Sequence, residues 1–587
     1  MCGIFSVVSK NDKPLDRSAC KRALNKLSWR GPDLTTSTLW KDRVFLGQSI
    51  LSITGNIKDG KHLQSRSGRF AIAFNGEIYN YKELQEKYLN NNFSANSQIT
   101  DSEVLVNLFE NNRLKDIPKL LDGMYCILLL DKKEETIIIS RDIQGEKSLY
   151  IYEDNELIVI SSEIRPIIDF VPSIQINKQS LCDYFHTRHM MQFERTNFTG
   201  IIQIPPGNTR TLDLKSLSWS NSYQQKMSSW INPDKMQSFA ERCEEDLLDE
   251  LESIFIKCIK EMIPHRSFAT VLSGGIDSSL ISAFLLKYGN PDMLVAINHL
   301  GKDLISNDLE GFEKHLGQKV NVIDVDLATY SAEIERCQKA CGGPIFSHSF
   351  IGQSIQSSHV RAAGCRVLFG GEGADELFGG YSSYLNNRDT ISRFSNSPYT
   401  SYFKTQLSFL NSDTSNIEGE LEDAWGVALN SYEHLSDINE KVAQAMMYCD
   451  LAFQVSSIGL RGADLMSMMW SVETRSVFLR KSIIEFALNL PVKLKSDINQ
   501  TNPLLQSKYL LKKLFLRYFP KKLLTKKQGF SGFPNESAIY LGDIEDFMVF
   551  DFLDISKDIL KKQNLSRDTE WKLINIEHFL RHSYQYK

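Results

Sequence analysis

Phe268-Ala269-Thr270-Val271-Leu272-Ser273-Gly274-Gly275-Ile276-Asp277-Ser278-Ser279 opens on a short apolar, β-branched run. Bounded by a glycine loop, that run has the length of a buried strand. The apolar segment Leu280–Leu286 that follows reads as a helix. A strand, a glycine loop and a helix N-terminus make an anion site. The glycines let backbone N–H groups close on phosphate oxygens, and the helix dipole adds positive potential. No Gly-Lys-Ser/Thr closes the loop, so it is not a Walker A sequence. A glycine-rich turn without a ligand is the bland alternative, and the strand–helix context argues against it.

Working outward, Glu244–Met262 carries Leu247, Leu248, Leu251, Ile254, Phe255, Cys258, Ile259 and Met262 at helical spacing. Val295-Ala296-Ile297, Val320–Val325 and Arg366-Val367-Leu368-Phe369 read as further strands of a parallel sheet. The last feeds Gly370-Gly371-Glu372-Gly373-Ala374-Asp375-Glu376-Leu377-Phe378-Gly379-Gly380-Tyr381. Carboxylates at the C-terminal end of such a strand face the ligand crevice of an open α/β sheet. Asp277 and Asp375 are hard oxygen donors that can share a Mg²⁺ with a pyrophosphate group. A solvated acidic loop would not explain why glycines alternate with the acids.

The N-terminal half reads differently. Val44–Leu46, Phe70–Phe74, Cys126–Leu130, Thr136–Ser140 and Leu157–Ser161 are strand-like, and Ser18–Leu27 and Ser102–Asn112 are helical, which predicts a layered α+β domain. Polar clusters punctuate it: Arg30-Gly31-Pro32-Asp33, Asn75-Gly76-Glu77 directly after a strand, Thr100-Asp101-Ser102-Glu103, and Arg141-Asp142 with Gly145 and Lys147. Each alone reads as a turn, a loop or a capping box. Cys2 changes their weight. If Met1 is removed, one residue carries a thiol nucleophile and an α-amine whose ordinary pKa, about 7.7–8.0, suits a base.

Composition narrows the partners. The 587 residues are 42% hydrophobic and 24% charged, with a net charge of −5. These are ordinary globular values, with nothing favouring nucleic acid or an anionic membrane. No signal peptide is visible, and no apolar run approaches the roughly 20 residues of a membrane span. The ten cysteines contain no Cys-x-x-Cys pair, and core packing in a reduced cytoplasm is the expectation. Asn221–Gln237 is polar without a strong period, placing the domain division between residues 223 and 238.

In order and spacing, Cys2 and the polar clusters resemble the class II glutamine amidotransferase domain. The second half resembles the ATP-pyrophosphatase domain of glutamine-dependent asparagine synthetases, whose Gly-Glu-Gly-Ala-Asp-Glu-Leu-Phe-Gly-Gly-Tyr motif stands at Gly371–Tyr381. The resemblance implies an αββα N-terminal-nucleophile glutaminase over 1–223 and an α/β synthetase domain over 238–587. By that resemblance Cys2 attacks glutamine, Asn75 and Gly76 supply the oxyanion donors, and Asp101, Asn75 and Glu77 bind glutamine. Arg30 and Asp33 support the pocket. Leu272, Ser273, Gly274, Gly275, Asp277, Ser278, Ser279 and Gly371 hold ATP and its pyrophosphate, and Asp277 and Asp375 hold Mg²⁺. Glu372 is the base for the attacking amine, and Lys508 neutralises phosphoryl charge. Lys526-Lys527-Gln528-Gly529-Phe530, Ser471–Arg475 and the helix around Trp571–Arg581 are also family-like. The implied reaction is glutamine- and ATP-dependent amidation of aspartate to asparagine, in the cytoplasm, with homodimerisation permitted.

Several departures keep alternatives open. Ile50 stands where the family has an arginine for the glutamine α-carboxylate, with Arg43 and Arg66 as candidate replacements. Ser148 follows Lys147 in place of proline. On the acceptor side, Ser347-His348-Ser349, Val477-Phe478-Leu479-Arg480 and Gly462-Ala463-Asp464-Leu465 differ from the family pattern. The alternatives are another acceptor (a sugar uronic acid or a natural-product precursor), an enzyme fed by free ammonia, and a catalytically silent relative.

Overall fold

Strand Cys2–Ser9 is buried along its whole length, as a strand must be when both faces of its sheet are covered. The computed structural model describes residues 1–11, 13–55, 63–89, 99–111, 117–187, 194–220, 223–299, 309–384, 415–524, 544–557 and 567–583. In it, Cys2–Ser9 lies between Val44–Ile50 and Leu157–Ser161 in a sheet that runs Leu34–Trp40, Val44–Ile50, Cys2–Ser9, Leu157–Ser161, Tyr150–Glu153, Ile201–Gln203. Neighbours in this sheet are antiparallel. A second antiparallel sheet runs Ser218–Trp219, Asn208–Asp213, Thr136–Arg141, Gly123–Asp131, Phe70–Ile78.

The pleat sorts the side chains. Ile4 and Val8 point between the sheets, against Ala71, Ala73, Leu128, Leu130 and Ile139. Phe5 and Val7 point outward onto helix Arg17–Asn25. On the other outer face, Phe70, Ile72 and Phe74 pack beneath helix Asp101–Asn111. The result is the layered helix–sheet–sheet–helix arrangement expected. Truncating a fully buried residue such as Ile4 to alanine would cost about 2–5 kcal/mol.

The second half holds a five-stranded sheet in the order Val320–Val325, Met293–His299, Phe268–Val271, Val367–Gly370, Glu473–Ser476, every pairing parallel. Helices Glu244–Met262 and Ile276–Tyr288 cover one face through Phe268, Leu294 and Phe369. Helices Ser349–Ala362 and Leu460–Met468 cover the other through Ala269, Val295 and Leu368. The chain order reverses beside Phe268–Val271. The loops after it and after Val367–Gly370 therefore flank the crevice where open α/β sheets take ligands.

The polar stretch chosen as the domain division holds regular structure from Met227 on. Helix Pro233–Glu241 begins there, with Pro233 in its first turn and the Asn232 side chain accepting from the Lys235 N–H at 3.1 Å. Nine of the ten cysteines are buried and all are unbridged, but Cys243 is exposed. Among the described residues no helix is long and apolar enough to cross a membrane.

The two halves are joined by buried charge. Arg30 Nη2 donates to both oxygens of Asp464 at 2.9 Å, and Lys147 Nζ lies 3.1 Å from the same carboxylate. Arg480 Nη2 lies 2.6 Å from Asp122 and 2.6 Å from Glu261. The Arg30–Asp464, Lys147–Asp464 and Arg480–Asp122 pairs span the N- and C-terminal halves, and Arg30, Lys147, Asp464 and Arg480 are buried, so that losing one partner strands a charge.

Candidate functional site

Cys2 begins its strand and is 5% exposed. Its N–H donates to Asn75 Oδ1 at 3.1 Å, and its carbonyl accepts from Arg30 Nε at 3.1 Å. Burial pushes its thiol pKa up, opposed by the N-terminal ammonium and by Gln48. Gln48 also accepts from the Phe74 N–H at 3.0 Å and donates to the Phe74 carbonyl at 2.8 Å, fixing the strand that leads to Asn75.

Asn75 and Gly76 do not form a turn after the strand, as their sequence suggested. They lie within strand Phe70–Ile78, paired with Cys126 and Tyr125. Local sequence hides this because Gly76 has φ +153°, and a Cβ there would fall 2.0 Å from the Met124 carbonyl oxygen. Only glycine lets the neighbouring strand approach so closely. Asn75 is fully buried, and its Nδ2 has no hydrogen-bond partner among the described residues. A buried donor without an acceptor is costly, and this one is available to a developing negative charge.

Asp101 starts its helix one residue after Thr100, whose hydroxyl accepts from the Glu103 N–H at 3.2 Å. Its carboxylate accepts from the Ile78 N–H at 3.1 Å and the Ser102 N–H at 2.8 Å. Burial pushes Asp101 up to about 6. Glu77 is pushed up to about 8, by burial first and then by Asp101, while Arg475 opposes the shift from 3.3 Å. Met1 lies in the same region, its ammonium 3.3 Å from Glu473 with both groups buried. Burial works against that charge, but Glu473, Glu77 and Asp101 together raise its pKa. The structure thus brings Cys2, Asn75, Gly76, Glu77 and Asp101 together.

Ile50 is 1% exposed, is the register partner of Cys2 and belongs to the same apolar cluster. It forms a wall where an arginine was expected. Arg43 does not take that role, because it contacts the Ser9 carbonyl at the far end of the sheet. Arg66 is exposed alongside helix Asp101–Asn111, its backbone N–H 3.4 Å from Asn107 Oδ1.

In the second half, Gly274 has φ +77° and Gly275 caps helix Ile276–Tyr288. Ser273 and Ser278 hold the loop closed, Oγ to Oγ, at 3.0 Å, and Ser279 is buried beside them. Lys508 Nζ sits 2.6 Å from Asp277 Oδ2 and 2.7 Å from Asp375 Oδ1. Burial lowers the Lys508 pKa, but the two carboxylates outweigh it and hold the ammonium charged. A Cβ on Gly380 would lie 1.8 Å from Asp375 Oδ1, and one on Gly371 would lie 3.2 Å from Asp277 Cβ. Glu372 accepts from Ser476 Oγ at 3.2 Å, and burial raises its pKa. Leu272, Ser273–Gly275, Asp277–Ser279, Gly371, Glu372, Asp375 and Lys508 thus converge on the crevice at the sheet's reversal point.

Residues 250–549 match the asparagine synthase family model, and residues 1–224 match that of the glutamine amidotransferase domain. The chain belongs to the asparagine synthase family. A probable glutamine-hydrolyzing asparagine synthetase from Acanthamoeba polyphaga mimivirus is 26% identical over 67% of this chain and 70% of its own length. Glutamine-hydrolyzing asparagine synthetase 2 from Lotus japonicus is 23% identical over 65% of this chain and 60% of its own. The chain therefore spans 60–70% of these relatives' length. A solved glutamine phosphoribosylpyrophosphate amidotransferase from B. subtilis aligns at 14% identity over 56% of this chain and 91% of that one. Its TM-score of 0.27 carries no argument.

Within this member of the asparagine synthase family, two of the acceptor-side departures acquire another meaning. Arg480 and Asp464 are engaged in the ion pairs between the halves. His348 instead packs edge-on against Trp571, ring centroids 5.2 Å apart, before helix Ser349–Ala362. Lys526–Phe530 lies outside the described residues. Sequence reasoning missed Gln48, and it named Asp464 and Ser471–Arg475 without the buried ion pairs they make. The apolar flanks Val472 and Val477-Phe478-Leu479 were the available signal for the burial of Glu473–Ser476.

Proposed function

We propose that this protein transfers glutamine nitrogen to a carboxylate activated by ATP. The division of labour follows the two halves, 1–223 and 238–587. After excision of Met1, the Cys2 α-amine takes the thiol proton and the thiolate attacks the glutamine side-chain amide. Asn75 Nδ2 and the Gly76 N–H stabilise the oxyanion. Asp101 and Glu77 receive the α-ammonium, with Asn75 lining the same pocket. A thioester forms, ammonia leaves, and water releases glutamate.

The loop Leu272–Ser279, with Gly371, binds ATP through its phosphates. The acceptor carboxylate oxygen attacks the α-phosphorus, and pyrophosphate departs with its charge offset by Lys508. Ammonia then attacks the acyl carbon while Glu372 accepts a proton, and amide and AMP leave. Asp277 and Asp375 are hard oxygens already gathered about a cation, a donor set that fits Mg²⁺. When bound, the ion would neutralise pyrophosphate charge there. Aspartate is the proposed acceptor, on the names of the relatives.

The observation that carries the reading is the Lys508 ammonium held between Asp277 and Asp375 at the end of the glycine loop. A charged, buried lysine bridging two acids has no packing purpose that a smaller apolar group would not serve better. The experiment is pyrophosphate and glutamate release from MgATP and glutamine across a panel of carboxylates, for the parent and Cys2→Ala. Acceptor-dependent pyrophosphate supports the reading, and its absence with every acid removes it. A second reading, synthesis from free ammonia with weak glutaminase, is favoured by Ile50. It predicts pyrophosphate release with ammonium salts and little glutamate.

A further inference from the structure

Strand Glu473–Ser476 is the edge of the parallel sheet and lies against the first half. All four residues are polar and all four are buried. Successive side chains on a strand point to opposite faces, so neighbours can serve two places at once. Arg475 turns toward the glutaminase pocket. Its Nε donates to Glu473 Oε1 at 2.6 Å, its Nη1 donates to the Met262 carbonyl, and its Nη2 lies 3.3 Å from Glu77 Oε2. The ring of Tyr79 lies 5.5 Å from its Cζ. Ser476 turns the other way and donates to Glu372 at 3.2 Å.

We propose that Arg475 is a positioning residue through which the synthetase half sets the glutamine pocket: its guanidinium, anchored by Glu473 and Met262, holds the Glu77 carboxyl group aimed to receive the glutamine α-ammonium. The inference rests on the role given above to Glu77. The charges around Glu77 make the arginine necessary. Burial first, then Asp101 and Glu473, push Glu77 up to about 8 even with Arg475 and the N-terminal ammonium opposing them. Thr54 donates to Glu77 Oε1 but brings no charge. Without Arg475 that opposition is lost, Glu77 holds its proton to still higher pH, and the carboxyl group loses the partner that aims it at an ammonium ion. Because Arg475 belongs to a strand of the second domain, glutamine binding depends on the docking of the two halves.

The test uses the full chain. Arg475→Met, Arg475→Lys and the charge-balanced pair Glu473→Gln/Arg475→Met are compared with the parent. Glutamine KM and kcat for glutamate release are measured from pH 6.5 to 9, beside pyrophosphate release driven by ammonium chloride. The expected result for Arg475→Met is a glutamine KM raised ten-fold or more at pH 7, with kcat at saturation changed less than three-fold. The fall in KM that the parent shows as pH rises is displaced to higher pH in this variant. Arg475→Lys falls between parent and Arg475→Met, and ammonia-driven pyrophosphate release stays within two-fold. If Arg475→Met does not fold, the other two variants decide on the same readout. An unchanged KM, or a kcat loss without a KM change, overturns the inference. So does an equal fall in glutamine- and ammonia-driven reactions. A parent without glutaminase activity instead removes the underlying reading of Glu77, and this inference with it.

Discussion

Replacing Asn75 with alanine separates catalysis from stability. Two opposing terms can be worked from the structure. The substitution removes the Oδ1 that accepts the Cys2 N–H at 3.1 Å, leaving that N–H unpaired at a cost of about 1–3 kcal/mol. It also removes Nδ2, already buried without an acceptor among the described residues, and so recovers a similar desolvation penalty. The net change in stability is within about 1–2 kcal/mol, less than a deletion at a fully buried position normally costs. Catalysis has no such compensation. One oxyanion donor is worth about 10²–10³ in kcat, or about 3–4 kcal/mol. We expect Asn75→Ala to release glutamate at least a hundred-fold more slowly, with a melting temperature near the parent's. Ammonia-driven pyrophosphate release should be unchanged. Glutamate and pyrophosphate are followed in parallel, with thermal melts on the same samples. A glutaminase loss below ten-fold, or an equal loss of ammonia-driven pyrophosphate release, would refute the oxyanion assignment.

Other outcomes follow from the same geometry. Asp464 is held below the ordinary carboxylate range by Arg30 and Lys147, against the effect of burial. Its stabilisation is present above its unfolded pKa of about 3.9 and is lost as pH falls through the lower folded value. Asp464→Asn should cost about 3–5 kcal/mol at pH 7 in denaturant melts and flatten the acid limb of stability. Lys508→Met leaves Asp277 and Asp375 facing each other and should lower pyrophosphate release at least a hundred-fold with either nitrogen source, while glutamate release persists. Because Asp101 and Glu77 are pushed up to about 6 and about 8, the parent's glutamine KM should fall as pH rises from 6 to 8.5. Ser148 is buried, and its hydroxyl has no hydrogen-bond partner among the described residues. Ser148→Ala should therefore be neutral or stabilise by about 1 kcal/mol in the same melts.

Periodic apolar segments were legible in the sequence, because burial on one face writes a period into a chain. Helix Glu244–Met262 and strand Val320–Val325 have the limits their patterns predict. Leu34–Trp40 was not legible, since Thr35, Thr36, Ser37 and Thr38 mask any alternation. Glu473–Ser476 was not legible as a strand either. Its charges are satisfied by groups far away in sequence, Met1, Glu77 and Met262, and no local rule anticipates partners at that separation. The candidate site divides the same way. Cys2, Asn75, Asp101 and the two glycine loops stand out as residue types in order. Their connection through Arg475, and the use of Asp464 and Arg480 to join the halves, exist only once the chain is folded.

Transfer of oxygen from the acceptor into AMP tests the central chemistry most directly. With the carboxylate that supports pyrophosphate release labelled with ¹⁸O, each turnover should place one labelled oxygen in the phosphoryl group of AMP, read by mass spectrometry. AMP free of label, or label recovered in inorganic phosphate beside ADP, would contradict activation of the acid at the α-phosphorus.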